Sequence, residues 1–436
     1  MQYTLTIIDY PATNGAIEKG INAVHIYYII QYFPPELNGG ATRASDFARL
    51  WTEMEHEVTV LTGFPNHPSG IIPAAYHGKF RTEETKDGYT IRRTSVYATP
   101  NKGKYRRILN HISLMLSTII GSLLKPRPDM IIASSPPLFL GLSGYILSRL
   151  LHVPLIFEVR DIWPQQAVDL GMLTNPLIID AMERLEMFLY DKAEMVIGVT
   201  QSTAKILAER GVPESKIKII PNATDLTRFY PSEQSIKLKK NLNLESKFVV
   251  SYIGTMGLSQ GLMTVIEAAR QLQRLAADVH FVLVGDGAER ETLVETAAAS
   301  HLTNVTFLGS QPREVIPDYY RISDITVVPL RNVQLFESTI PSKMFEVMAC
   351  GIPIILGVKG EAATIVKHAE AGLCITPESA DELVEAVCHL YTCAEERKRM
   401  GINGHKYVSK YYDRHKLAIE YSNLLENLMP YEQWVA

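Results

Sequence analysis

Phe248-Val249-Val250-Ser251-Tyr252-Ile253-Gly254-Thr255-Met256-Gly257-Leu258-Ser259-Gln260-Gly261 is the stretch whose reading decides the architecture. Six mostly β-branched or aromatic residues run on without alternation, as in a strand buried on both faces of a parallel sheet. The glycines that follow let the backbone turn tightly into a helix and approach a ligand closely. The pattern returns at Phe281-Val282-Leu283-Val284-Gly285-Asp286-Gly287. Taken alone, such turns fit plain strand-to-helix geometry as well as ligand contact.

Outward from this stretch, short apolar runs alternate with segments of helical period, which predicts an α/β protein with parallel sheets. One series of strands is read at 24–30, 58–62, 90–94, 130–133, 155–159, 196–199 and 217–220, and a second at 248–253, 281–284, 305–308, 325–328, 354–356 and 373–375. Residues 226–246 between them are polar and unpatterned and read as a hinge. The chain thus divides into 24–225 and 226–411, with a helical segment at 412–436 that packs back on the first half. Residues 1–23 lack the charged start, apolar centre and cleavage site of a secretory signal and are read as an extension of unknown role. Phe47, Leu50, Trp51 and Met54 line one face of a helix that starts at Gly39-Gly40. Two open parallel sheets of similar size place a cleft at the carboxyl ends of their strands.

The 436 residues are 46% hydrophobic and 21% charged with a net charge of −4, which argues against disorder and against a nucleic-acid partner. The four cysteines, at 350, 374, 388 and 393, form no metal-ligand spacing and suit a reducing compartment. No apolar run reaches the ~18 residues of a membrane span, so a cytoplasmic protein is expected. Against the acidic whole, 79–127 holds eleven Lys and Arg and three acids. Within it, 105–124 carries apolar residues at 108, 112, 115, 119 and 123 behind Lys102, Lys104, Arg106 and Arg107. This suits a helix lying on an anionic membrane, and a core helix with a solvated basic start explains it nearly as well.

The strongest cluster is Pro341-Ser342-Lys343-Met344-Phe345-Glu346. Proline suits a first helical position, the following N–H groups are unpaired, and Lys343 adds positive charge for a phosphate. Glu346 shares its helix face one turn on, where a carboxylate accepts the two hydroxyls of a ribose. An exposed ion pair is the competing account. There is no Walker loop, no GxGxxG and no DxD pair for a catalytic Mg²⁺. In the first half, Gly39 and Gly40 repeat the anion-binding logic. Glu158, Arg160 and Asp161 end the strand at 155–159, either at the cleft as sugar-orienting or basic groups or as an internal brace. Asn66 and His67 lie on the loop after the second strand, where a lone histidine is more often structural or solvated.

Gln31–Glu36 (Gln-Tyr-Phe-Pro-Pro-Glu), the loop at 61–70, Glu158-Val159-Arg160-Asp161-Ile162-Trp163-Pro164, 281–289 and 341–349 together resemble bacterial glycosyltransferases of family 4, with the GT-B fold of two Rossmann-like domains. The likeness runs from about 26 to about 428 and is nearest the surface-polysaccharide branch that includes L-fucosamine transferases. It implies a retaining transfer, without cofactor and usually without metal, from a nucleotide-diphosphate sugar, UDP-linked, held mainly by the second domain. The first domain holds the acceptor, a lipid-linked saccharide of O-antigen, capsule or exopolysaccharide synthesis at the cytoplasmic face of the inner membrane. Glu346 matches the second glutamate of the family's paired-glutamate motif. The first falls at Ser338, and Glu337, one residue early, is expected to take that catalytic role. Donor contacts are expected from Gly39, Gly40, Gly254, Thr255, Gly257, Gln260, Gly285, Asp286, Gly287, Ser342, Lys343 and Glu346. Catalytic roles are expected from Glu158, Arg160, Asp161 and Glu337, and acceptor contacts from Asn66 and His67. Thr255 and Gln260 stand where the family often has Arg and Lys, leaving Lys343 as the best cation for the diphosphate. A sugar-nucleotide 2-epimerase of the same fold and a non-catalytic two-domain sugar-binding protein are the alternatives.

Overall fold

The computed structural model describes residues 23–429 apart from 37, 68, 100–103, 124, 125, 170, 172 and 234, and gives only the backbone of Lys104 and Tyr105. The reading of 1–23, except Ala23, and the last seven residues of the 412–436 segment lie outside the described residues.

The first sheet is built from β1 (His25–Ile29), β2 (Glu57–Gly63), β3 (Arg81–Lys86), β4 (Tyr89–Thr94), β5 (Met130–Ser135), β6 (Leu155–Val159), β7 (Met195–Gly198) and β8 (Ile217–Ile219), in the order β3-β4-β2-β1-β5-β6-β7-β8. The second contains β9 (Phe248–Ile253), β10 (Val279–Val284), β11 (Val305–Leu308), β12 (Ile325–Pro329), β13 (Ile354–Gly357) and β14 (Gly372–Cys374), in the order β11-β10-β9-β12-β13-β14. The opening stretch is therefore β9, a central strand whose six residues are all buried because helices cover both faces.

The sheets have eight and six strands, and the first is not wholly parallel: β3 pairs antiparallel with β4. Its sequence, Arg-Thr-Glu-Glu-Thr-Lys, contains no large apolar residue. Cross-strand pairs hold it instead, Glu83 with Arg92 at 2.6 Å and Glu84 with Arg93 at 2.8 Å. Periodicity does not detect such an edge strand. The 226–246 stretch is not featureless either, since it contains the helix Ile236–Asn241 and buries Phe229 and Leu244 in the core of the second half.

The helix Gly39–Glu53 is capped by Asn38, whose side chain accepts from the Ala41 N–H at 2.8 Å. It buries Phe47, Leu50 and Trp51. The final helix, Arg414–Glu426, lies along it: Trp51 Nε1 donates to the Ala418 carbonyl at 3.3 Å, and Tyr421 meets Phe47 edge-on at 5.6 Å. The last described helix thus belongs to the core of the first sheet.

The helix Lys104–Ser122 corrects the amphipathic reading by about one position. Residues 108, 112, 115 and 119 are half-buried, and the outward row is Leu109, Leu116 and Ile120, continued by Leu123 beyond the helix. Its buried side is partly polar, with Asn110, His111, Ser117 and Thr118. The apolar side chains are thus shared between a half-buried row and an exposed one. Among the described residues, no helix is long and apolar enough to cross a membrane.

Candidate active site

A cleft of about 1520 Å³ lies between the halves, and six of the expected residues line it: Gly39, Gly40, Arg160, Asp161, Glu337 and Ser342. The halves also touch directly. Arg313 donates to both carboxylate oxygens of Asp46 at 3.1 Å, and Arg414 pairs with the same carboxylate at 3.2 Å. Glu361 accepts from the N–H groups of Gln201 and Ser202 at 3.0 and 2.9 Å and from the Ser202 hydroxyl at 2.8 Å. It thereby closes the N-terminal end of the helix Gln201–Glu209 from the opposite half. Sequence reading missed these contacts, whose partners are 160 and 267 residues apart with no local signature.

On the second half, Lys343 is the first residue of the short helix Lys343–Ala349. Its Nζ donates to the Tyr252 hydroxyl at 2.9 Å and lies 4.1 Å from the centre of that ring. A Cβ on Gly254, at φ +145°, would come within 2.5 Å of this Nζ, so glycine there makes room for the ammonium group. Burial pulls the Lys343 pKa down to about 7, with the Glu346 charge opposing. Burial likewise raises Glu346 above the usual carboxylate range, against the Arg313 charge and a hydrogen bond from the Tyr320 hydroxyl at 3.2 Å.

The glycine turns interlock. Gly254 N–H donates to the Val284 carbonyl at 2.9 Å and Met256 N–H to the Asp286 carbonyl at 2.8 Å. A Cβ on Gly285 would fall 1.9 Å from the Gly254 oxygen, and one on Gly287 2.3 Å from the Met256 oxygen. These glycines are needed for loop packing whatever else they do. Three expected donor contacts are already engaged within the loops. Gln260 Oε1 accepts from Gly257 N–H at 3.1 Å, Asp286 from Gly287 N–H at 2.7 Å, and the Thr255 carbonyl from the Tyr252 hydroxyl at 2.5 Å.

Glu158 is corrected: it does not reach the cleft. It is fully buried, and Arg43 Nε and Nη2 donate to it at 3.1 and 3.0 Å, Tyr28 at 3.1 Å and Ser134 at 2.8 Å. Burial would raise its pKa, but Arg43, then Arg160 and the hydrogen bonds, outweigh it and hold the carboxylate below its ordinary value. It is an internal brace with Arg43 as its partner. Asp161 does line the cleft; burial raises its pKa, and Gln166 donates to it at 3.1 Å. Glu337 is exposed on the 3-10 turn Gln334–Ser338.

Asn66 and His67 lie away from the main cleft, in a small pocket of about 20 Å³ shared with Tyr32, Arg107 and His111. The Glu36 carboxylate accepts from both of their backbone N–H groups, at 2.9 and 2.8 Å, which fixes the loop. The His67 ring packs against Tyr32 at 4.7 Å, and burial lowers its pKa. Of the expected membrane-contact residues, Arg106 is exposed, Arg107 lines this pocket, the Lys104 side chain is not described, and Lys102 lies outside the described residues. Among the described residues, one group of side chains is spaced for a cation, His389, Cys393 and Glu396, and none of the three lines the cleft.

Residues 38–223 match the family model "Glycosyl transferase 4-like domain", and 233–407 match "Glycosyl transferases group 1". WcaI of Escherichia coli K12, a protein named for glycosyl transfer in colanic acid biosynthesis, is 24% identical over 83% of this chain and 90% of its own length. Sucrose-phosphate synthase from Thermosynechococcus elongatus superposes with a TM-score of 0.72 at 19% identity, covering 93% of this chain and 99% of that one. Anabaena HepE in complex with UDP and glucose gives 0.70 at 19% identity, covering 93% and 100%. These two likenesses show the fold. The chain is a glycosyltransferase of the GT-B fold, made of a glycosyl transferase 4-like domain followed by a group 1 glycosyl transferase domain.

Proposed function

We propose that the protein transfers a sugar, an N-acetylated hexosamine or deoxyhexosamine, with retention of configuration and without a metal ion. The donor is a nucleotide-diphosphate sugar, UDP-linked, and the acceptor is a lipid-linked glycan of surface-polysaccharide synthesis. The observation that carries the reading is the juxtaposition of Lys343, Gly254 and Glu346. A cation held against a glycine backbone sits one helical turn from a half-buried carboxylate that receives one hydroxyl hydrogen bond. Lys343 suits the diphosphate, and Glu346, short of donors, suits the two ribose hydroxyls. The relative named for colanic acid and the HepE complex with UDP and glucose support the choice of product and donor.

In this reading the bond between the sugar's anomeric carbon and the diphosphate oxygen breaks, and its electron pair leaves with the phosphate. The acceptor hydroxyl attacks the same face, and its proton passes to the departing phosphate oxygen. Positive groups lower the barrier by meeting charge as it develops, and closure of the halves keeps water out. Asp161, a cleft carboxyl raised by burial, is placed to orient the acceptor hydroxyl. The exposed row Leu109, Leu116, Ile120 and Leu123, with Arg106 exposed a turn earlier, supports peripheral contact with the cytoplasmic face of the inner membrane.

The test is a thermal-shift series with UDP, GDP and their sugars, since a ligand that binds only the folded state raises its apparent stability. It is followed by assay of membrane lipid extracts for sugar transfer. A shift with a nucleotide sugar and label moving into the lipid fraction are expected. Conversion of donor alone to an epimer, or no response to any nucleotide diphosphate, would overturn the reading.

A further inference from the structure

The glycine loop of the second half contains no basic residue between Gly254 and Gly261. Lys343, which burial brings to about pH 7, is an incomplete partner for the two negative charges of a diphosphate. A permanently charged group lines the cleft from the first half, across from Ser342, the neighbour of Lys343. The Arg160 guanidinium lies on the first turn of the helix Gly39–Glu53, so close that a Cβ on Gly40 would fall 1.9 Å from Nη1 and 2.7 Å from Cζ. Its Nε donates to the Ser134 hydroxyl at 2.9 Å and its Nη2 faces the Pro136 carbonyl at 3.4 Å. Both partners are neutral, and no carboxylate among the described residues forms an ion pair with Arg160.

Its charge is answered only at a distance, by Glu158 behind the Ser134 hydroxyl and by the neighbouring Asp161, and not by a partner at the helix end. A cation beside the positive end of a helix is repelled, and the early N–H groups there, after Asn38 has taken that of Ala41, also seek an acceptor. An anion between them would relieve both. The same spot faces the second half: a Cβ on Gly39 would lie 3.5 Å from the hydroxyl of Ser342, the residue before Lys343, and Gly39, Gly40, Arg160 and Ser342 line one cleft.

We propose that Arg160 supplies, from the first half, the charge on the donor diphosphate that the glycine loop of the second half lacks. The inference rests on the donor site proposed above and adds a residue from the opposite half. A guanidinium stays protonated at any working pH and makes paired hydrogen bonds to phosphate oxygens, so it adds a second charge without the proton uptake that Lys343 requires. Because Arg160 and Lys343 sit on opposite halves, only the closed cleft brings both charges to one diphosphate, and the leaving group is fully stabilised only once water is shut out. Gly40 is then glycine because the guanidinium occupies the place of its side chain.

The experiment measures affinity for UDP, GDP and the corresponding monophosphates in wild type, Arg160→Ala, Gly40→Ala and the double variant, with thermal melts as a check on folding. Arg160→Ala should lower the ratio of diphosphate to monophosphate affinity about tenfold or more, the loss expected of a charged hydrogen bond. Its monophosphate affinity should hold. Gly40→Ala should give a similar loss by displacing the guanidinium, and little further loss when Arg160 is already alanine. Lys343→Ala is the control for the underlying site. If wild type binds no nucleotide diphosphate, the donor-site reading fails. If wild type binds, Lys343→Ala weakens it and Arg160→Ala leaves the ratio unchanged, the role of Arg160 alone is overturned. Additive losses in the double variant would also overturn it.

Discussion

Glu158 and Glu346 are both shielded glutamates, one in each half, and the protein treats them in opposite ways. Glu158 receives two hydrogen bonds from Arg43 and one each from Tyr28 and Ser134, and its pKa lies below the ordinary value. Glu346 receives one from Tyr320, while the guanidinium that most favours its charge, Arg313, is bound to Asp46; its pKa lies above the ordinary value. A carboxylate with its donors complete holds a fold together. One with donors missing is poised for a ligand that brings them.

The largest test of this contrast is Glu158→Ala, which strands the buried Arg43 charge. Urea unfolding should show a loss of about 3–5 kcal/mol. A loss below about 1 kcal/mol would mean that Arg43 re-pairs with the Ile220 and Pro221 carbonyls it already contacts. Glu346→Gln should do the reverse, leaving stability within about 1 kcal/mol and lowering nucleotide-diphosphate affinity at least about tenfold. Equal affinity in calorimetry would place the ribose elsewhere.

A smaller effect concerns pH. Lys343 titrates near 7 in the folded protein and near 10.5 unfolded, so between these values the unfolded chain holds more protons. The unliganded protein should therefore gain stability as pH rises across that window, because the cost of a charged, poorly solvated lysine is present in full only below about pH 7. A diphosphate favours the ammonium form, so binding takes up a proton, and affinity should fall about fivefold between pH 7 and 8. Lys343→Met should bind more weakly with this part of the pH dependence removed. A profile unchanged by the substitution would remove Lys343 from the diphosphate.

Much of this was legible in advance for a physical reason. β6 and β9 coincide with their apolar runs because buried parallel strands carry their signal within the segment. Lys343 and Glu346 were found together because one helical turn links them in sequence. The strand β3 escaped, since an edge held by ion pairs has no hydrophobic period. Glu158 was read as a cleft residue because a strand end shows where a chain emerges but not which way each side chain turns.

The sequence alone determined the alternation of strand and helix, the break between two series of strands, and the local cluster at the start of the Lys343–Ala349 helix, because those depend on neighbours a few residues apart. Tertiary structure alone decided that Arg43 neutralises Glu158, that Asp46 takes Arg313, that Glu361 caps a helix of the other half, and that Arg160 lies where a side chain of Gly40 would be. Charge pairing acts through space over a few ångströms, and residues brought that close by folding leave no mark of it along the chain.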